Sequence, residues 1–402
     1  MMNILSVKAT SVQGTFNGTE TRTYKDFAEA MADFDGGIIR IEELRSDLAD
    51  NFQINRDTVL DLCGQTVSGL RMRVEGGAEL YVKNGTLLTR SMGTIINVSN
   101  GTATLDDCVL SGRVNGGPNA GLVNVQPLAT NAELEAIAKG EVEKIKSNLR
   151  IKKDAKLYAL GNSSCAVGCC SLRANAYNNS TRTTFCNQVS AFIQNPVIDV
   201  EGEIYCEGWI ALYEWGSDYF GSEVNIYEGA FLSSCSESII SKINGGSLNL
   251  YGGTLYAQTP ICMRYNNTLN VPATSTVEVY AFGENAGNYY EIGSSAWDNS
   301  EHLCQTGCAI AIDRNYRTQR NPGTLNIAGG RFYSDNNVAV GSFDYRGTYE
   351  RALGFAAKPG SGSNPPKYYS FQKSDPSYSN VNGAHPYDTT TGAYADYGIY
   401  RS

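Results

Sequence analysis

The acidic side chains that could act in pairs are Asp106 with Asp107, Glu214 with Asp218, and Asp313 beside Arg314. Two carboxyl groups flanking a glycosidic bond cleave it by protonating the leaving oxygen while the other group activates water or attacks. None of the three pairs lies in a recognisable catalytic motif. Asp106–Asp107 falls at a chain reversal, where Asp is an ordinary turn residue. Histidine occurs only at positions 302 and 385, so Ser-His-Asp or Cys-His nucleophiles have little raw material. His302 with Cys304 and Cys308, and Cys165 with Cys169 and Cys170, give C-x₃-C spacings that miss the C-x₂-C zinc knuckle. They read as buried thiols, so no metal or cofactor is expected, and no catalytic residue is assigned. The aromatic segment YCEGWIALYEWGSDYFG (205–221) carries more. Sugars stack their C–H faces on exposed rings, which makes Trp209, Tyr213, Trp215 and Tyr219 the candidate glycan-binding residues. Strand alternation would turn about half of such rings inward.

The elements that would position these residues follow from composition. The chain has 402 residues, 18% of them charged, with 42 glycines, 25 tyrosines and a formal charge of −9. Low charge with abundant Gly, Asn, Ser and Thr suits short strands joined by tight turns. The negative charge argues against nucleic acid, whose phosphates need a basic face, and against anionic lipid. No apolar run reaches the ~18 residues of a membrane span, and the N-terminus lacks the pattern of a secretory signal. Eleven cysteines are an odd number for a disulfide framework. Cys108, Cys206 and Cys262 sit at apolar positions of the strand pattern and read as small buried hydrophobes.

LDLCGQTV (60–67), LYVKNGTL (80–87), ATLDDCVL (103–110), VNIYEGAF (224–231), LNLYGGTL (248–255) and LNIAGGRF (325–332) share one template. Apolar residues stand at positions one, three and eight, with small or polar residues between. Neighbouring copies start roughly 20–24 residues apart, the period of a solenoid with strand-like coils. Positions one and three of a strand share a face, so each coil sends both into a common interior. Position eight returns to that interior after the corner. A leucine-rich repeat would need an Asn signature that is absent, and an antiparallel sandwich would need hairpin signals. The fold class read from this is all-β, a right-handed parallel β-helix.

TYKDFAEAMADF (23–34) places Tyr24, Phe27, Ala28, Met31 and Phe34 on one helical face, with Thr23 and Asp26 spaced as a capping box. This predicts a helical cap over the end of the column. TNAELEAIAKGEVEKIKSNL (130–149) predicts a helical insertion with a stripe of Leu134, Ile137, Ala138, Val142, Ile145 and Leu149, and a capping box at Thr130 and Glu133. Its acids precede its bases, the order a helix dipole favours. The repeat is expected to fail between about 125 and 165. The expected organisation is an N-terminal extension at 1–22, a β-helix at 23–355 with the insertion at about 130–150, and a Tyr/Pro/Gly-rich arm at 356–402. Sequons such as Asn97 and Asn162 read as turn residues.

The opening YKDFAEAMADFDGGIIRIEEL…FQINRDTVLDLCGQTVSG resembles that of pectate-lyase-like β-helix proteins. TVLDLCGQTVSG stands where that superfamily usually has VTLDLNGHTISG. Similar openings occur in bacterial surface proteins and in bacteriophage tailspikes and appendages. The resemblance implies a virion appendage (tailspike, tail fibre or head fibre) that attaches to host-surface glycan. It would be a homotrimer, assembled in the host cytoplasm with other virion proteins. The alternatives are a polysaccharide lyase or glycoside hydrolase of the same fold, and a bacterial surface or secreted adhesin.

Overall fold

The computed structural model describes residues 4–351 except 9–10, 17–19, 25–26, 44–50, 90–91, 115–120, 162–164, 171–172, 175–188, 209, 216–220, 236–237, 243–244, 264–266, 284–306, 314–323, 335–338 and 344–348. The proposed C-terminal arm, His302 and His385 therefore lie outside the described residues. The chain is mostly β and divides into two compact units, Met1–Tyr205 and Cys206–Ser402.

In the first unit, three ladders of parallel strands are built by successive repeats. The first joins Gly37–Glu43, Thr58–Asp61, Ala78–Leu88, Gly101–Arg113, Ser147–Ile151 and Val197–Val200 in that order. The second joins Thr66–Ser68 to the distal halves of the two long strands and then to Lys156–Leu160. The third runs through Asn51–Ile54, Arg71–Val74, Ile96–Val98, Val123–Val125 and Cys165–Cys170. Each repeat from Thr58 to Cys170 thus contributes to all three ladders, the two long strands serving both the first and the second. Period-two alternation sends Ile39, Leu60, Val82, Leu105, Ile151 and Val200 inward as one cross-strand column, none more than 1% exposed. Burying such a side chain contributes about 1.5–3 kcal/mol, and no single repeat could bury it alone.

The second unit follows the same plan. Ser222–Ile226, Gly246–Leu250, Asn267–Val271 and Thr324–Ile327 form one parallel ladder. Phe231–Ser234, Thr254–Ala257, Glu278–Ala281 and Arg331–Ser334 form the next. Ile210–Trp215, Ser238–Lys242, Ile261–Met263, Ile310–Asp313 and Val340–Phe343 form the third.

The three-point template is buried at all positions but one. Phe231 is 45% exposed, and Leu232 takes the interior place. The corner after Ile226 holds one residue more than the corner after Leu250, because Leu232 pairs with Leu255 while Ile226 pairs with Leu250. The repeat does not lapse at 125–165. Ser147–Ile151 and Lys156–Leu160 are in register with their neighbours, joined by a turn in which the Ala155 N–H donates to the Lys152 carbonyl.

The insertion is a shorter helix than expected, α2 (Asn131–Ala138). Its capping box is formed: the Glu133 N–H donates to Thr130 Oγ1 at 3.2 Å, and the Thr130 N–H donates to Glu133 Oε2 at 2.7 Å. Gly140, with φ at +73°, ends it. Leu134 and Ile137 are buried, whereas Val142 is exposed and Leu149 belongs to a strand, so the acid-to-base order spans two kinds of element. The N-terminal helix α1 (Phe27–Asp33) buries Phe27 and Ala30 against the sheet, leaving Ala28 exposed. Its supposed capping residue Asp26 lies outside the described residues. The proposed N-terminal extension at 1–22 holds two strands among its described residues, with a third beginning at Glu20. Ile4–Lys8 pairs in parallel with Gly37–Glu43, and Ser11–Phe16 pairs antiparallel with Glu20–Tyr24.

Candidate functional site

Four strands of the second unit's first ladder carry the same residue between their buried pair. Val224–Asn225–Ile226, Leu248–Asn249–Leu250, Leu269–Asn270–Val271 and Leu325–Asn326–Ile327 are aligned in register, so alternation turns all four asparagines outward. Their carboxamides form a chain. Asn249 Nδ2 donates to Asn225 Oδ1 at 2.8 Å, Asn270 Nδ2 to Asn249 Oδ1 at 2.8 Å, and Asn326 Nδ2 to Asn270 Oδ1 at 3.0 Å. Asn225 Nδ2 in turn donates to Glu223 Oε1 at 3.0 Å. The amide dipoles point one way, and hydrogen bonds in such a chain polarise one another. A carboxylate at the donor end and a free Oδ1 on Asn326 at the other make that last oxygen a strengthened acceptor. Asn270 and Asn326 each keep a second N–H, whereas that of Asn249 reaches Ser247 Oγ at 3.5 Å, and Asn225 and Asn249 are buried.

Two residues beyond each asparagine, on the same outward face, stand Tyr227, Tyr251, Pro272 and Ala328. Tyr227 and Tyr251 stack at 5.3 Å with 18° between their planes, and Tyr251 is 43% exposed. The stack stops there, since Pro272 and Ala328 are smaller. The step opens a cleft of about 700 Å³ walled by Tyr251, Pro272 and Ala328 and floored by Asn249, Asn270 and Asn326. The corner that aims Tyr251 depends on Gly253. Its φ is +88°, and an added Cβ would stand 2.8 Å from the Ala230 carbonyl oxygen.

Past this corner the second ladder carries another aromatic row, with Tyr256 opposite Tyr280 and Tyr280 opposite Tyr333. Tyr280 and Tyr333 stack at 4.5 Å and 1°, while Tyr256 is 45% exposed and lies 4.8 Å from Phe282. The Tyr280 hydroxyl donates to Glu278 Oε2 at 2.8 Å, and Glu278 pairs with Arg331 at 3.5 Å. Burial, reinforced by that hydrogen bond, pushes the Tyr280 phenol well above its ordinary range. Carboxamides beside exposed ring faces are suited to binding rather than bond cleavage. Amides match vicinal hydroxyls, and rings match the C–H face of a sugar.

The residues singled out from sequence fare differently. Tyr213 is 5% exposed, a buried residue rather than a sugar platform, on a strand whose Leu212 and Glu214 are buried on the other face as well. Trp209 and Tyr219 lie outside the described residues, as does the Trp215 side chain. Glu214 is fully buried and accepts from the Ser222 N–H at 3.2 Å and from Ser222 Oγ at 2.9 Å, a structural role. Its supposed partner Asp218 is not described. Asp106 accepts from the Tyr81 hydroxyl, while Asp107 is exposed at the corner with φ at +44°. Cys108, Cys206 and Cys262 are buried free thiols, as are Cys165, Cys169 and Cys308. No group of three metal-binding side chains occurs among the described residues. Asn97 is on a strand, not in a turn, and Asn162 is not described.

The asparagine row was missed in the sequence although its signal is there: the same residue between the two apolar positions of LNL, VNI, LNV and LNI. No family model matches the chain, and no match was found among curated proteins or solved structures.

Proposed function

We propose that this protein is a carbohydrate-binding attachment protein, built as a right-handed parallel β-helix and carried as an appendage of a bacteriophage particle. The single observation that carries the binding reading is the outward amide row of Asn249, Asn270 and Asn326 beside the exposed face of Tyr251. A neutral sugar placed there stacks on the ring and exchanges hydrogen bonds with the second N–H groups of Asn270 and Asn326 and with Asn326 Oδ1. Stacking on one aromatic ring contributes about 0.5–1.5 kcal/mol beyond area burial. A useful affinity therefore needs several sugars, bound by several subunits together. The virion setting, the trimer and the contacts to other virion proteins rest on the resemblance of TVLDLCGQTVSG and its flanks to appendage proteins.

A panel of immobilised bacterial surface polysaccharides, probed with the full chain, tests this reading. The expected result is retention on at least one neutral polymer with the polymer's length unchanged after incubation. Shortening of the polymer would establish the lyase or hydrolase alternative. Absence of binding across the panel would remove the attachment reading.

A further inference from the structure

A second cleft lies in the first unit, between α1 and the outer face of the third ladder, and it has a different chemistry. Gln53, Arg73 and Asn97 are cross-strand neighbours on Asn51–Ile54, Arg71–Val74 and Ile96–Val98. They alternate with the buried Ile54, Met72, Val74, Ile96 and Val98, so all three face outward. Phe27 of α1 meets Phe52, on the opposite face of the edge strand from Gln53, edge-on at 4.6 Å, which packs the helix along the edge of this ladder, and Ala28 and Met31 form an apolar wall of the cleft. The space, half open to solvent, is about 410 Å³ and is also lined by Asn51, Phe52 and Met72.

Arg73 is exposed and makes no ion pair or hydrogen bond with any described residue. Elsewhere in this unit Arg40, Lys83, Arg150, Lys152 and Lys156 face carboxylates, whereas Arg71, like Arg73, has no ion pair among the described residues. Asn97 Oδ1 already accepts from Asn124 Nδ2 at 3.2 Å, so its own NH₂ is left to donate into the cleft. The cleft therefore offers a planar cationic fork, three carboxamides and a small apolar wall.

We propose that this cleft binds one unit of an acidic N-acylated sugar. The guanidinium takes the carboxylate through two parallel N–H donors, the geometry in which arginine is strongest. Asn51, Gln53 and Asn97 exchange hydrogen bonds with hydroxyls and the acylamino group, and Met31 and Ala28 cover the acyl methyl. The volume is at the lower end of small-molecule sites, about 300–1,000 Å³, which suits a single saccharide unit. This inference does not rest on the carbohydrate reading of the second unit.

Titration of the full chain with the methyl glycoside of N-acetylneuraminate, followed by ligand-observed NMR, tests it. The expected result is saturable binding that weakens at least about tenfold with the uncharged methyl ester, as loss of a charge-assisted fork requires. Arg73→Gln is expected to show the same loss and Arg73→Lys a smaller one. Arg71→Gln, whose guanidinium lies over Gly93 instead, is expected to bind as the wild type. An unchanged urea midpoint for the variants separates lost binding from lost folding. Equal binding of acid and ester, wild-type binding by Arg73→Gln, or no binding by about 20 mM glycoside would overturn the proposal. So would N-acetyl-leucine binding as tightly as the glycoside, because that marks a carboxylate pocket indifferent to sugar.

Discussion

On the first ladder of the first unit, the outward side chains alternate in charge. Arg40 lies opposite Asp61, Asp61 opposite Lys83 and Lys83 opposite Asp106. On the first ladder of the second unit the outward row is Asn225, Asn249, Asn270 and Asn326. The interiors behind both rows are the same kind of apolar column. The charged row consumes its own binding capacity. Asp61 Oδ2 stands 3.9 Å from Arg40 and 3.8 Å from Lys83, while Oδ1 accepts from the Cys63 N–H and from Asn84 Nδ2, both at 3.0 Å. In the amide row each carboxamide gives one N–H to the next acceptor, and Asn270 and Asn326 keep a second N–H to offer. Position in the fold is therefore shared, and what the position can recognise is set by whether its residues saturate one another.

The largest effects should be the same in both units. Leu105→Ala and Leu250→Ala each remove a fully buried side chain, and each is expected to cost about 2–5 kcal/mol in urea unfolding, independent of salt and pH. A large difference between them would mean that the two columns are not equivalent. Asn249→Leu separates the outer faces next. It strands Asn225 Oδ1 and Asn270 Nδ2 and is expected to cost about 1–3 kcal/mol. Asn326→Leu, at the end of the row, is expected to cost less.

Asp61 gives the opposite signature. Burial alone would raise its carboxyl, but the Asn84 amide, the Cys63 N–H and the Lys83 charge outweigh that and hold it below the usual range. A carboxyl that titrates lower in the folded chain contributes fully above its unfolded pKa of about 3.9 and stops contributing as pH falls through the folded value. Asp61→Asn is therefore expected to destabilise the first unit by about 1 kcal/mol at pH 7. That difference should shrink as the pH falls below about 4. Over the same interval Asn249→Leu should show a constant penalty, as carboxamides do not titrate. The smallest effect is expected at Lys152, which meets Glu201 at 2.7 Å with both side chains partly exposed. Lys152→Met should change stability by less than about 1 kcal/mol, and 1 M salt should erase the change.

The parallel repeat was legible in the sequence because its apolar spacing is enforced by burial, as Leu60, Leu62 and Val67 illustrate. Repeats with other corner lengths escaped the template. Leu149 and Ile151 are followed by Leu157 on the next strand only after Lys152–Lys153–Asp154–Ala155–Lys156, in which Ala155 is buried and no glycine marks the bend. Register was the second loss. The shared template sets Leu60 against Leu80, whereas the strands pair Leu60 with Val82. The candidate site was less legible for a different reason. Aromatic density singles out residues 205–221, yet the strand Ile210–Trp215 is covered on both faces, with Leu212, Tyr213 and Glu214 all buried, so alternation alone does not tell which rings are exposed. The informative signal was the least conspicuous one, an asparagine at a fixed place in four repeats, whose meaning appears only when the strands are stacked.

The most direct test measures the affinity of whichever neutral polysaccharide fragment the panel selects for four forms: wild type, Tyr251→Ala, Asn270→Ala and Asp61→Asn. Tyr251→Ala and Asn270→Ala are each expected to weaken binding about tenfold, roughly the 1.4 kcal/mol of a lost stack or hydrogen bond, with Asp61→Asn unchanged. Undiminished binding by the first two, or a loss confined to Asp61→Asn, would contradict the assignment of recognition to the amide face.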